Sequence, residues 1–132
     1  MKYLLDTHYL LWSIADSNKI GKSIREIIID PQYQILVSTI SFWEISLKYS
    51  LGKLNIQGFL PQEIPDLCLK MNFEIITLSS RESSSYYQLD NDQHKDPFDR
   101  MLIWQAIENN YTLITKDAEI EKYVSSGLKI LK

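Results

Sequence analysis

Short apolar runs, each cut off by a polar or acidic residue and separated from the next by a helical pattern, constrain this chain more than any other feature. The runs at 3–5, 35–37, 73–77, 112–114 and, more weakly, 129–131 read as strands. Between them, Ile20, Ile24, Ile27 and Ile28 recur at helical spacing, as do Ile40, Trp43, Leu47 and Leu51. Leu67 and Met71 mark a further helix with Pro61 and Pro65 confined to its beginning, where proline is tolerated. Leu102, Ile103, Ala106 and Ile107 mark a strong one. The serine-rich stretch 79–85 is too short for a linker and reads as a helix start. Short strands alternating with helices bury both faces of a sheet, which calls for parallel strands and an α/β fold. With 132 residues and neither repeat nor linker, the expectation is one domain over 1–132.

A chain that is 45% hydrophobic and of this length can bury a core without covalent staples. Its single cysteine, Cys68, excludes an intrachain disulfide and fits a reducing compartment. No apolar run approaches the roughly 20 residues that span a bilayer. The opening MKYLLDTHYL is interrupted by an aspartate and followed by no small-residue cleavage site, so neither a signal peptide nor a membrane partner is expected. The expected location is the cytoplasm. The net charge of −3 argues against strong nucleic-acid affinity by phosphate neutralisation.

Four acids turn that argument around. In an open parallel sheet, ligands bind beyond the carboxyl ends of the strands. Asp6 ends the first strand, Asp117 lies three residues past Ile114, and Glu44 sits in the helix after the second strand. Asp99 opens the helix entered from the loop 90–95, so all four can reach one sheet edge. Each also has a plainer reading. Asp6 and Asp117 suit helix N-caps, and Glu44 could form an exposed pair with Lys48. On the Ile40, Leu47, Leu51 stripe, however, Glu44 would be buried and in need of a partner or a metal. In HKDPFDRMLIWQA, Pro97 fits the first helical position, which makes Asp96 the N-cap and puts Asp99 in the first turn, on the face of Ile103 and Ala106. Oxygen-only ligation suits Mg²⁺ or Mn²⁺ rather than zinc. With these four acids set aside for a metal, the rest of the chain is slightly basic.

The order Asp6, Glu44, Asp99, Asp117 resembles that of the PIN-domain ribonucleases. The pieces LLDTHYLLW, SxxSxWEIxxK at 38–48, GKL at 52–54, HKDPFDRMLI and LITKD are similar to those of the VapC-like toxins of type II toxin–antitoxin pairs. That resemblance spans nearly the whole chain. It implies a three-layer fold with a central parallel sheet of four to five strands flanked by helices. It also implies Mg²⁺- or Mn²⁺-dependent endonuclease action on RNA, a homodimer, and inhibition by a small antitoxin protein. Asp6, Glu44 and Asp99 would be the principal metal-binding acids, with Asp117 the fourth and Thr115 the hydroxyl beside it.

Arg100 and Lys48 are expected helpers that orient a carboxylate or meet a phosphate oxygen. His8 and His94 flank the acidic motifs and read more readily as structural than catalytic. Tyr9, Tyr49, Tyr86 and Tyr87 are expected to be exposed, available to stack bases or to build a protein interface. The expected chemistry is hydrolysis by a metal-activated water, with a carboxylate removing its proton. Three other readings compete. A phospho-accepting receiver would want adjacent acids after the first strand, and an aspartyl-nucleophile phosphatase would want an acid where His8 stands. A binding-only PIN-like module would be marked by loss of one of the four acids, all of which are present.

Overall fold

The computed structural model describes residues 1–90 and 96–132. Five strands, β1 (Lys2–Leu5), β2 (Gln34–Ser38), β3 (Glu74–Ile76), β4 (Thr112–Ile114) and β5 (Lys129–Leu131), pair in the order β3-β2-β1-β4-β5, all parallel. The registers Leu4 to Leu36 and Leu5 to Ile114 align the carboxyl ends of the three central strands. Strand order reverses beside β1, because the chain adds β2 and β3 on one side and β4 and β5 on the other. Such a reversal opens a crevice between the strand ends.

Side-chain alternation along the strands divides the core into two layers. Tyr3, Leu5, Ile35, Val37 and Ile114 face one side. They meet Tyr9 and Leu10 of α1 (Thr7–Ala15), Ile24 and Ile28 of α2 (Lys22–Ile29), and Ile64 and Cys68 of α4 (Ile64–Lys70). Leu4, Leu36 and Leu113 face the other side. There they meet Leu102, Ile103 and Ala106 of α6 (Pro97–Asn109) and Ile120 of α7 (Ala118–Glu121). Each fully buried leucine contributes about 1.5–3 kcal/mol of burial free energy. The short α5 (Ser80–Ser85) starts at a reciprocal capping pair of Ser79 and Glu82, bearing out the helix start read from the serine run.

One expectation needs correcting. The helix α3 (Thr39–Ser50) buries Ile40 but not the rest of the stripe Ile40, Trp43, Leu47, Leu51. Trp43 is 61% exposed, Leu47 38% and Leu51, just past its end, 58%. The buried face is instead Ser41, Glu44 and Ile45, with Ile40 beside it. The helical period was right, but the polar members of the inward face disguised it, because Glu44 and Ser41 find partners there.

Candidate functional site at the carboxyl edge of the sheet

Asp6 follows β1 in extended conformation and caps α1, accepting a 2.8 Å hydrogen bond from the Tyr9 N–H. Its own N–H donates to the Ile114 carbonyl at 3.1 Å, which fixes Asp6 to the end of β4. The buried Thr115 hydroxyl bonds the Asp6 carboxylate and accepts from the Asp117 N–H at 3.1 Å. One threonine thus ties two of the acids to the same crevice. Burial raises the Asp6 carboxyl above the ordinary range, and the Asp117 charge adds to this. The Tyr9 N–H, the Thr115 hydroxyl and the charge of His8 act against it.

Glu44 is 3% exposed, and both of its oxygens are engaged. Oε1 accepts from the Thr7 hydroxyl at 2.7 Å and Oε2 from Lys48 Nζ at 2.5 Å. Ser41 Oγ lies 2.9 Å from Thr7 Oγ1. A threonine hydroxyl carries one proton, so Thr7 gives it to the charged carboxylate and accepts from Ser41. The pair Glu44–Lys48 has the i,i+4 spacing of the plainer reading, yet only the lysine reaches solvent. Its bond to Glu44 pushes the Lys48 ammonium upward, and the charges of Asp96 and Asp99 push the same way.

Asp96 caps α6, accepting from the N–H groups of Phe98 and Asp99 at 2.9 and 3.1 Å, with Pro97 in the first turn. Asp99, in the first turn of α6, is half-buried. Its carboxyl is pushed up to about 7, first by burial and then by the charges of Asp96, Glu44, Asp117 and Asp6. Asp117, half-buried, caps α7 by accepting from the Glu119 N–H at 2.9 Å. The plain capping readings of Asp6, Asp96 and Asp117 are therefore all realised, and the same caps aim the acids at a common region. Among the described residues, no three His, Cys, Asp or Glu side chains stand close enough to form a ready-made metal-binding group. What meets at Asp99 is the field of four other carboxylates. The donor chemistry, hard oxygens under mutual repulsion, fits a divalent cation.

The helper expected at Arg100 is not at the site. Its side chain is buried in the core side of α6, where it donates to the hydroxyls of Tyr86 and Tyr123 and the carbonyls of Leu89 and Asp90. It also lies over both phenol rings, 5.4 and 5.7 Å from their centroids. Four hydrogen bonds from the guanidinium to neutral oxygens make a packing device. Tyr86 is correspondingly half-buried and Tyr9 fully buried, so neither is an exposed stacking platform, whereas Tyr49 and Tyr87 are exposed. His94 lies outside the described residues. His8 is exposed and lines a cleft of about 260 Å³ with Asp6, Tyr9, Trp12, Lys116 and Asp117. Sequence reading passed over Thr7, Ser41 and Trp12. Thr7 and Ser41 stood inside the motifs, and a hydroxyl directly after a strand-end acid was the available signal.

A family model for the PIN domain matches residues 3–125, and the chain belongs to that family, whose members are generally nucleases. A comparison with curated proteins finds no match. Among solved structures, the chain is similar to one in VapBC2 from Rickettsia felis bound to a DNA fragment from their promoter. The identity is 21%, the TM-score 0.74, and the coverage 99% of this chain and 98% of that one. It is similar also to a chain of VapBC-1 from nontypeable Haemophilus influenzae, at 20% identity and TM-score 0.69, covering 100% and 98%. DNA-bound VapBC from Salmonella typhimurium gives 14% identity and TM-score 0.69, covering 99% and 97%. The shared feature is the fold, a five-stranded parallel sheet with helices on both faces.

Proposed function

We propose that this chain is a Mg²⁺- or Mn²⁺-dependent endoribonuclease, the toxin of a VapC-like toxin–antitoxin pair. The observation that carries the reading is the Asp99 carboxyl, pushed to about 7 by burial and by four neighbouring acids. Like charges gathered in a half-buried crevice mark a candidate functional site, and a divalent cation would relieve their repulsion. Asp6, Asp99 and Asp117 are the acids whose oxygens would hold the ion. A bound divalent ion would neutralise the site and supply water of lowered pKa and a counter-charge for the leaving oxygen. Glu44, engaged by Thr7 and Lys48, adds to the field and fixes α3 against α1. Thr115 holds Asp6 and the Asp117 backbone in register. The reaction this arrangement supports is hydrolysis of a phosphodiester. Water attacks phosphorus in line, the 3′-oxygen of the preceding nucleotide leaves with a proton, and the product carries a 5′-phosphate.

The chain's net charge of −3 makes modest intrinsic RNA affinity part of the proposal. The antitoxin and a second copy of the chain are the expected protein partners. The exposed apolar residues Trp43, Leu47 and Leu51 on and beside α3 support a protein-binding face. The likeness in fold to chains of VapBC complexes supports the antitoxin. The test is incubation of the partner-free chain with total cellular RNA and Mg²⁺ or Mn²⁺, followed by sequencing of new 5′ ends. Discrete cuts that vanish with EDTA and with Asp6→Asn are expected. Intact RNA in the wild-type reaction, or cuts that persist in Asp6→Asn, would overturn the assignment.

A further inference from the structure

Beside the acids, the cleft lined by Asp6, His8, Trp12, Lys116 and Asp117 runs into a second groove that shares His8 and Trp12. That groove continues past Lys19, Asn55 and Gln57. Trp12 stands at the junction. Its indole is half-exposed on α1, and the buried Tyr9 ring meets it edge-on at 5.1 Å, which fixes its plane. His8, one turn earlier on α1, lies 5.9 Å away at a tilt of 40°. From the opposite element, the exposed Lys116 holds its ammonium 5.7 Å from the indole centroid. None of these three side chains is required to assemble the carboxylates.

We propose that Trp12 is the stacking platform for a nucleobase flanking the scissile phosphate of a single-stranded RNA, with Lys116 turning from the indole to the adjacent phosphate. The inference rests on the ribonuclease reading and names how the substrate is held. Three observations point to a polyanion carrying bases rather than to a peptide. The groove opens directly onto the acids, so whatever lies in it passes the reactive position. It is lined by two lysines, Lys116 beside the acids and Lys19 further along, the latter paired at 3.7 Å with Asp16 of the same lining, on a chain that is acidic overall. Its remaining polar lining includes the amides of Asn55 and Gln57, which can read the edges of unpaired bases. An indole face already attractive to a cation is equally a face for a base, and the exposed lysine can leave it at little cost.

The test is fluorescence anisotropy of labelled oligouridylate and oligoadenylate in EDTA at about 50 mM salt, where cleavage is blocked and phosphate contacts are strong. Wild type, Trp12→Ala, Trp12→Phe and Lys116→Ala are compared, with linear polyphosphate as a base-free competitor. Loss of one base stack weakens binding about 5- to 100-fold, so Trp12→Ala should lose that much for both RNAs. Trp12→Phe should keep most of the affinity, and polyphosphate should bind Trp12→Ala as it binds wild type. Lys116→Ala should weaken both ligands and lower the salt slope by about one. Wild-type RNA binding that Trp12→Ala and Lys116→Ala leave unchanged would overturn this inference while sparing the ribonuclease reading. A wild-type chain that neither binds nor cuts RNA would overturn both. If Trp12→Ala does not fold, Trp12→Phe and Lys116→Ala decide, and loss of polyphosphate binding in Trp12→Phe would also count against a stacking role.

Discussion

Replacing Thr7 by valine keeps the shape of the side chain and removes one hydroxyl, which makes it a sharp probe of how Glu44 is held. Thr7 is 7% exposed, and its hydroxyl supplies the only hydrogen bond recorded at Glu44 Oε1 among the described residues. A hydrogen bond to a charged group contributes about 1.5–3 kcal/mol. Part of this is regained, because Lys48 still pairs with Oε2 and its own side chain is 40% exposed. The Ser41 hydroxyl, which lies beside Thr7, also loses its acceptor. The expected cost is about 2 kcal/mol, or roughly 8 °C in Tm for a domain of this size. Urea denaturation followed by circular dichroism reads it directly, with Thr7→Ser as the control that keeps the hydroxyl. In a double-mutant cycle with Glu44→Gln, the Thr7→Val cost should shrink by about 1 kcal/mol. A Thr7→Val cost below about 0.5 kcal/mol, equal in both backgrounds, would refute the reasoning that Thr7 anchors a buried carboxylate.

Two further outcomes follow from the titrating groups. In the folded, metal-free protein, Asp99 keeps its proton up to about pH 7, whereas an ordinary aspartate releases it near 3.8. The native state therefore binds the extra proton between these values, and stability in EDTA should fall as pH rises from about 4 to 7. Asp99→Asn should flatten that fall, and a wild-type stability that rises across the window would contradict it. Cys68 is fully buried, and its thiol is pushed up to about 11 by burial. A thiol reagent at pH 8 should modify the native chain only as fast as it opens and should react at once in urea. Rapid modification of the native protein would place Cys68 somewhere other than the α4 core.

The α/β class and all five strands were legible because parallel strands buried on both faces leave short apolar runs that little else produces. Bounds shifted by a residue or two, as at β2 and β3, where the end of a strand depends on pairing that the sequence does not display. The four acids could be ordered along the chain and proposed for one edge, since Asp6, Asp99 and Asp117 sit at or within the first turn of helices that the apolar pattern marks. Their partners were harder to read. Arg100 was expected to be a helper; it is next to Asp99, but adjacent residues on a helix point about 100° apart. That turn carries Arg100 away from Asp99 and into the phenols of Tyr86 and Tyr123. The inward face of α3 was read only in part, for a related reason: Glu44 and Ile40 are buried as expected, whereas Leu47 and Leu51 are not. A stripe was ranked by hydrophobicity, whereas burial there was decided by hydrogen bonds from Thr7 and Lys48 to Glu44. Tyr9 was expected on the surface, yet it stands three positions after the capping Asp6 and packs into the core.

The claim on which the rest depends is that Asp6, Asp99 and Asp117 hold a divalent cation. Mn²⁺ titration of the partner-free protein, followed by calorimetry and by thermal unfolding, tests it without requiring a substrate. Mn²⁺ should bind with release of protons, because Asp99 is partly protonated at neutral pH, and should raise Tm with the logarithm of its concentration. Asp99→Asn and Asp6→Asn should abolish or strongly weaken both effects while remaining folded. Mn²⁺ binding of equal strength in wild type and both variants, or none in wild type, would contradict the account.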